Sequence, residues 1–235
     1  MTNAFADVPN SSPDGDRPSG EENALLICNG EMTTGAVLRS LASQLDFIVC
    51  ADGGANAAHA HGLRPDVIIG DFDSITNETR GHYLRAGVSF IHQAGQNDTD
   101  FEKALLLLRE KGMRTVAICG VTGKLLDHTL GNFSILLRYV QDFRLVLFDM
   151  HYRVDVITGQ GSFPSMQGSR VSIVPLSSAR GVQSSGLRYP LNGEQLAFGI
   201  AEGTCNEALG ETFTISSESG VLLVFRELHE GLHTL

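Results

Sequence analysis

The chain has 235 residues, 42% of them hydrophobic, with a formal net charge of −10 and no Lys/Arg-rich run. Such a length builds one large domain or two small ones, and the apolar content excludes global disorder. The acidic balance argues against nucleic acid or an anionic membrane as the main partner, although an acidic protein still binds a nucleotide when a metal supplies the positive charge. No apolar stretch reaches the roughly 18 residues needed to span a bilayer, and the start lacks the basic-then-apolar pattern of a signal peptide. Cysteines 28, 50, 119 and 205 are scattered without a CxxC pair. Together these features predict a soluble, cytoplasmic protein with free thiols.

Residues 1–22 are rich in Pro, Ser, Gly and acids, and they read as a disordered tail. From there strand and helix patterns alternate. ALLIC (24–28), FIVCA (47–51), DVIIG (66–70), VSFIH (88–92), RTVAIC (114–119) and RLVLFD (144–149) read as buried strands. The intervening stretches 33–45, 55–62, 77–86, 100–112 and 127–140 read as helices, the fourth with a capping box from Thr99 to Glu102. Past about Met150 the pattern changes to short β-rich segments (153–159, 170–176, 181–191, 195–200, 211–216 and 220–228) separated by Gly, Ser, Pro and Asn. The expected architecture is an α/β domain over 23–150 with a mostly parallel, Rossmann-like sheet. An all-β, jelly-roll-like sandwich follows over 151–235.

Strands in an alternating chain lie parallel, so residues just past their ends gather on one edge, where open α/β sheets bind ligands. Acids recur there: Asp52, Asp71, Asp73, Asp98, Asp100 and, after the fifth strand, Asp127. Bare carboxylates about 4 Å apart repel by roughly 4 kcal/mol at an effective dielectric near 20. An all-oxygen cluster therefore suits Mg²⁺ or Ca²⁺, and Mg²⁺ usually brings phosphates.

Within GDFDS (70–74), Asp71 and Asp73 share a face if the chain stays extended, Gly70 lets the backbone turn, and Ser74 caps the next helix. In NDTD (97–100) the acids favour the positive end of a helix dipole around an N-cap Thr99. Capping does not need both, so Asp100 is a ligand or phosphate-site organiser, and Asp98 a metal ligand or proton acceptor. ADGGAN (51–56) places Gly53, Gly54 and Asn56 at a strand-to-helix turn whose N–H groups can cradle phosphate. Gly120, Thr122 and Gly123 form a second turn, from which Lys124 reaches a phosphate as a point charge. His128 reads equally as a capping or core residue and as a functional one. The remaining histidines show no metal-ligand spacing. In the β-rich part, 184–191 and 203–207 read as small-residue loops carrying Tyr189 and Asn206; Tyr189 either stacks on a planar ring or packs at a sheet edge.

Taken in order, ADGGAN, PDVIIGDFDS, NDTDFEKAL, GVTG…DHTLGN and the late SSGLRY…GTCNE resemble the thiamine pyrophosphokinase family over roughly 24–226. The resemblance implies a homodimer whose sites lie between one subunit's α/β domain and the other's sandwich, using ATP and Mg²⁺ to convert thiamine to thiamine diphosphate and AMP. It implies that Asp71, Asp73 and Asp100 hold the metal and phosphates, with Asp52, Asp98 and Asp127 in the same pocket. Ser185 would lie near the thiamine, Tyr189 would stack on its pyrimidine and Asn206 would shape the loop over it. Two departures stand out. The family's Gly-Gly-Arg reads Gly123-Lys124-Leu125 here, and its late Ser-Asn reads Cys205-Asn206. The alternatives are a pyrophosphokinase acting on a pterin alcohol, a haloacid-dehalogenase-type phosphatase and a non-catalytic nucleotide or thiamine sensor. The alcohol proton is expected on Asp98 or Asp71.

Overall fold

The structure, a computed structural model, describes residues 22–93, 95 and 98–229. The expected tail lies almost wholly outside the described residues. Two compact units meet in sequence between His151 and Tyr152.

The first unit holds six strands: β1 (Asn23–Ile27), β2 (Phe47–Ala51), β3 (Val67–Gly70), β4 (Ser89–His92), β5 (Thr115–Cys119) and β6 (Arg144–Phe148). They pair in the order β6-β5-β1-β2-β3-β4, every pair parallel. The chain winds outward from β1 through β4, then returns to the other side of β1 for β5 and β6. In open α/β sheets ligands bind beyond the C-terminal ends of the strands near such a reversal, which here falls between β1 and β5. Near-continuous apolar runs such as Leu25, Leu26 and Ile27 are wholly buried, as a sheet covered on both faces demands. The three cysteines on or beside these strands are buried and free, and Cys205 is exposed and free.

Helices α1 (Gly35–Gln44), α2 (Gly54–Ala60), α3 (Asn77–Arg85), α4 (Asp100–Glu110) and α5 (Leu126–Tyr139) connect the strands. Threonine caps three of them: Thr34, Thr76 and Thr99 accept from the amides of Val37, Thr79 and Glu102. Thr76 therefore does what Ser74 was expected to do. The capping box is half formed. Thr99 caps α4, but the Glu102 carboxylate turns inward to Arg138 Nη2 (2.8 Å) and the Tyr139 hydroxyl (3.0 Å) on α5.

The second unit is a sandwich of two antiparallel sheets. One orders β12 (Gly203–Glu207), β9 (Arg170–Pro175), β14 (Leu222–Glu227) and β7 (Tyr152–Ile157); the other orders β11 (Asn192–Leu196), β10 (Ala179–Ser185), β13 (Thr212–Ser216) and β8 (Gln160–Pro164). Inward residues of both sheets make one core, with Phe163 and Phe213 stacked at 5.2 Å beside Ile173, Val182, Ile215 and Val224. The segment 203–207, expected as a loop, is strand β12. It pairs with β9 through a register shift, with Cys205 at φ 59°. A bulge of this kind breaks the alternation that would otherwise mark a strand. β8 also escaped the pattern reading, since QGSFP carries a Gly and ends in a Pro.

A charged group is sealed into this unit. Asp155 accepts from Arg153 Nη2 at 3.0 Å and from Arg226 Nη2 at 2.7 Å, and all three side chains are at most 4% exposed. Burial alone would raise the Asp155 pKa, but the two guanidiniums outweigh it and hold the carboxyl below its ordinary range. Replacing Asp155 with Ala leaves two buried guanidiniums without their shared anion. The variant is expected to lose about 3–5 kcal/mol of unfolding free energy, read from the urea midpoint.

Candidate active site

Three acids meet at the C-terminal ends of the parallel strands. Asp52 follows β2, Asp71 follows β3 and Asp100 opens α4 after β4; a carboxylate oxygen of each lies within 4.8 Å of the other two. Gly70 makes this approach possible. At φ 153° its backbone passes so close that a Cβ would stand 2.9 Å from the Asp52 Cβ and 3.2 Å from the Asp100 carboxylate. Asp52 is 3% exposed, with Oδ2 accepting from the Ser74 amide at 3.0 Å. Its other oxygen is buried without a partner among the described residues. Burial, together with Asp73 and Asp100, raises the Asp52 pKa to about 6, although the Ser74 amide opposes the shift. A buried carboxylate with two further carboxylates within reach is a donor set that fits a hard divalent cation.

The geometry refines the expected ligand set. Asp71 and Asp100, two of the three expected ligands, are in the triad; its third member is Asp52, and Asp73 lies close enough to Asp52 to raise its pKa. The difference lies in the backbone. Phe72 sits at φ 67°, so the chain is not extended there and the alternation that would set Asp71 and Asp73 on one face does not apply. The Asp73 amide instead donates to Asp71 Oδ1 (3.3 Å), and the Asp73 carboxylate accepts from the Ser74 hydroxyl (2.8 Å). Asp98 and Asp127 are exposed and lie outside the triad.

Among the described residues, one cation pairs with the triad. Lys103, 5% exposed, donates to Asp100 Oδ1 (2.8 Å) and to the Gln93 carbonyl (2.9 Å). It ties together both ends of the segment joining β4 to α4. The sequence reading missed it, although its spacing from Asp100, one helical turn into α4, was a usable signal.

The other turns serve more structural ends than expected. Gly54 is required by packing, since a Cβ there would lie 2.1 Å from the Ile27 carbonyl. Gly53 precedes it as the residue ahead of α2. Asn56 clips the 70–76 loop: its amide donates to the Ser74 carbonyl (2.9 Å) and its carbonyl accepts from the Thr76 amide (3.0 Å). The turn after β5 pairs with the one after β1, the Gly30 and Glu31 amides donating to Gly120 and Thr122 carbonyls at 2.6 and 2.7 Å. Gly123 and Lys124 follow at φ 74° and 55°. Lys124 does not point into open space. Its ammonium donates to both the backbone carbonyl and the side-chain oxygen of Asn29. Asn29 went unremarked in the sequence, although it too follows a strand on the same edge. Asp127 and His128 are exposed in the first turn of α5.

In the second unit Asn206 is 6% exposed and grips Tyr189 by its backbone. Its Oδ1 accepts from the Tyr189 amide (3.1 Å) and its Nδ2 donates to the Tyr189 carbonyl (2.6 Å). Tyr189 itself is 64% exposed. Ser185 shares a 2.7 Å hydrogen bond with the Thr214 hydroxyl.

Comparison with known proteins converges on one family. Residues 38–148 match the family model described as thiamin pyrophosphokinase, catalytic domain, and residues 156–222 match thiamin pyrophosphokinase, vitamin B1 binding domain. The chain is 26% identical to thiamine pyrophosphokinase 1 of Arabidopsis thaliana, over 91% of this chain and 90% of the relative. It is 29% identical to the thiamine pyrophosphokinase of Bacillus subtilis, over 70% and 79% of the two. The crystal structure of a Bacillus subtilis thiamine pyrophosphokinase shares the fold, with a TM-score of 0.76 at 24% identity over 87% of this chain and 98% of that one.

The crowding at Asp52 has a measurable consequence. Its folded pKa of about 6 lies above the ordinary 3.8, so the folded state holds this proton more tightly than the unfolded chain does. The stability it contributes is present below about pH 4 and lost as pH rises through about 6. Asp52→Asn removes the ionisation and keeps an acceptor for the Ser74 amide. In metal-free buffer the variant is expected to melt above the parent at pH 8, with the gap closing toward pH 4, as followed by circular dichroism.

Proposed function

The chain belongs to the thiamine pyrophosphokinase family, and we propose that it transfers the pyrophosphoryl group of ATP to the hydroxyl of thiamine, giving thiamine diphosphate and AMP with Mg²⁺ as cofactor. The observation that carries this reading is the convergence of Asp52, Asp71 and Asp100, of which Asp52 is buried with one oxygen lacking a hydrogen-bond partner among the described residues. These three would hold the ion. When bound, it supplies positive charge against the carboxylates and the phosphates.

The rest of the chemistry falls to the chain's own groups, as positioning and charge neutralisation. The thiamine alcohol oxygen bonds to the β-phosphorus of ATP, the bridge between α- and β-phosphates breaks, and AMP leaves with the electron pair. The alcohol proton passes to a carboxylate. Asp98 is the proposed acceptor because it lies outside the triad, whereas Asp71 is one of the carboxylates that would be committed to the ion. Lys103 holds Asp100 in place, and Asn56 fixes the loop that carries Asp71 and Asp73. Lys124, with its ammonium engaged by Asn29, is proposed to face the phosphates as a point charge and not as the bidentate fork an arginine would offer. In the second unit Tyr189 presents an exposed ring for a planar heterocycle, with Asn206 as its clamp and Ser185 nearby in sequence. The proposed domain roles are thus a nucleotide- and metal-binding unit over 23–150 and a thiamine-binding sandwich over 151–235. The proposed working form is a homodimer acting in the cytoplasm.

Asp71→Asn, Asp73→Asn and Asp100→Asn are each expected to lower turnover at least about tenfold, or roughly 1.4 kcal/mol of barrier, without unfolding. The assay follows AMP release and the oxidised fluorescence of thiamine diphosphate. Full activity in any one would remove that residue from the reaction, and no AMP from the parent chain with ATP, Mg²⁺ and thiamine would remove the proposal.

Asn206→Ala is expected to raise the KM for thiamine more than it lowers kcat, since it frees the Tyr189 backbone while leaving the phosphate-handling acids untouched. Steady-state kinetics at saturating ATP distinguish this from a general loss of fold, which would lower kcat first.

A further inference from the structure

Phe72 stands between the two acids of the GDFDS turn in a conformation an aromatic residue rarely adopts. At φ 67° its backbone is left-handed, where Gly is at ease and a bulky side chain is not. Strain of this kind persists only where the surroundings over-determine it. Here the surroundings are three aromatic or cationic groups on two elements. The ring lies edge-on to Phe90 at 5.4 Å and tilted to His92 at 5.6 Å. Phe90 and His92 are two apart on β4, hence on one face of that strand. From α3, the Arg80 guanidinium carbon lies 5.6 Å from the ring centroid.

The consequence is visible on either side of Phe72. The left-handed turn lets the Asp73 amide reach back to Asp71 Oδ1, which fixes the Asp71 carboxylate. One residue further on, the same turn delivers the Ser74 amide to Asp52 Oδ2. Two of the three triad carboxylates therefore take their orientation from a loop whose shape hinges on one residue. An extended chain at this point would put Asp71 and Asp73 on a common face and break both hydrogen bonds.

We infer that Phe72 is a positioning residue for the proposed metal site: its ring, gripped by β4 and α3, holds the turn that aims Asp71 and the Ser74 amide at the carboxylate triad. The inference rests on reading the triad as the divalent-cation site. A competing role is available, because β4 is the edge strand of this unit's parallel order and Phe72 covers part of it. A mere cover needs bulk; an anchor needs the ring.

The test compares Phe72→Gly, Phe72→Leu and Phe72→Tyr in the full chain. Mn²⁺ is the probe, its free concentration read by electron paramagnetic resonance in the absence of nucleotide, alongside melting temperature and steady-state kinetics. Phe72→Gly relieves the backbone strain but removes the anchor, so Mn²⁺ binding is expected to weaken about tenfold and kcat to fall by a similar factor, with the thiamine KM changed less than about twofold. Phe72→Leu keeps bulk without a ring face and is expected to share the weakened Mn²⁺ binding while melting near the parent. Phe72→Tyr restores the ring and is expected to bind Mn²⁺ within about twofold of the parent. If the Leu variant binds Mn²⁺ as tightly as the parent, or if the Gly variant does, the inference is overturned. If the parent chain binds Mn²⁺ but the Tyr variant loses it along with the others, the ring is not the anchor and the inference also falls. Absence of Mn²⁺ binding in the parent itself would remove the reading of the triad, and the inference with it.

Discussion

Everything at the strand ends follows from the cost of holding three carboxylates within 4.8 Å of one another. Each pair at such a distance repels by several kcal/mol at an effective dielectric near 20, before any burial penalty. The fold opposes this with few devices, all local. Lys103 places one ammonium on Asp100, the Ser74 amide satisfies one oxygen of Asp52, and the Asp73 amide satisfies one oxygen of Asp71. What remains uncompensated is the second oxygen of Asp52, buried and without a partner among the described residues. A chain selected for stability alone would not keep that oxygen there. Its presence, with a pKa lifted to about 6, marks a point where stability is given up, and the proposed cation site supplies a reason for it.

The backbone bears part of the same cost. Among the described residues, four that are not glycine adopt positive φ: Asp52, Phe72, Lys124 and Cys205. Three of them belong to the turns after β2, β3 and β5, the loops that the parallel sheet brings to one edge. The sheet itself is regular, with registers running unbroken from β6 to β4. Rigid strands thus fix where each loop starts, and strained loops fix where each side chain points. This division of labour lets a common α/β frame carry a demanding site.

The frame was legible because its signals are long-range and redundant. Six apolar runs alternating with helical periods define a parallel sheet, and a parallel sheet defines a ligand edge whatever the details of each loop. Asp52, Asp71 and Asp100 stand on that edge by topology alone, whereas the loop geometry that separates Asp73 from the group of three depends on the turn at Phe72. No sequence pattern marks a left-handed phenylalanine, because its conformation is set by Phe90, His92 and Arg80, eight to twenty residues away. Lys103 was hidden for the opposite reason: a lysine one turn into an amphipathic helix reads as a solvated charge, and only tertiary packing buries it. Strands β8 and β12 were missed because Gly, Pro and a bulge erase the two-residue period on which strand reading depends.

Lys124 shows how far local chemistry constrains a replacement. It occupies a left-handed position next to Gly123, and its ammonium reaches back to Asn29 at the end of β1. That contact links the turn after β5 to the turn after β1 across the point where the strand order reverses. An arginine one residue later would leave the helix start with a planar fork free to grip two phosphate oxygens; Leu125 stands there instead, 59% exposed. A compact ammonium spends donors on Asn29 and keeps at most the remainder for a ligand. The electrostatic demand of a phosphate chain must then fall more heavily on the divalent ion and on backbone amides. On the proposed function, the acid triad would then be both the reason a cation is needed and, with Leu125 where the family's arginine is expected, the main route by which a polyphosphate is held.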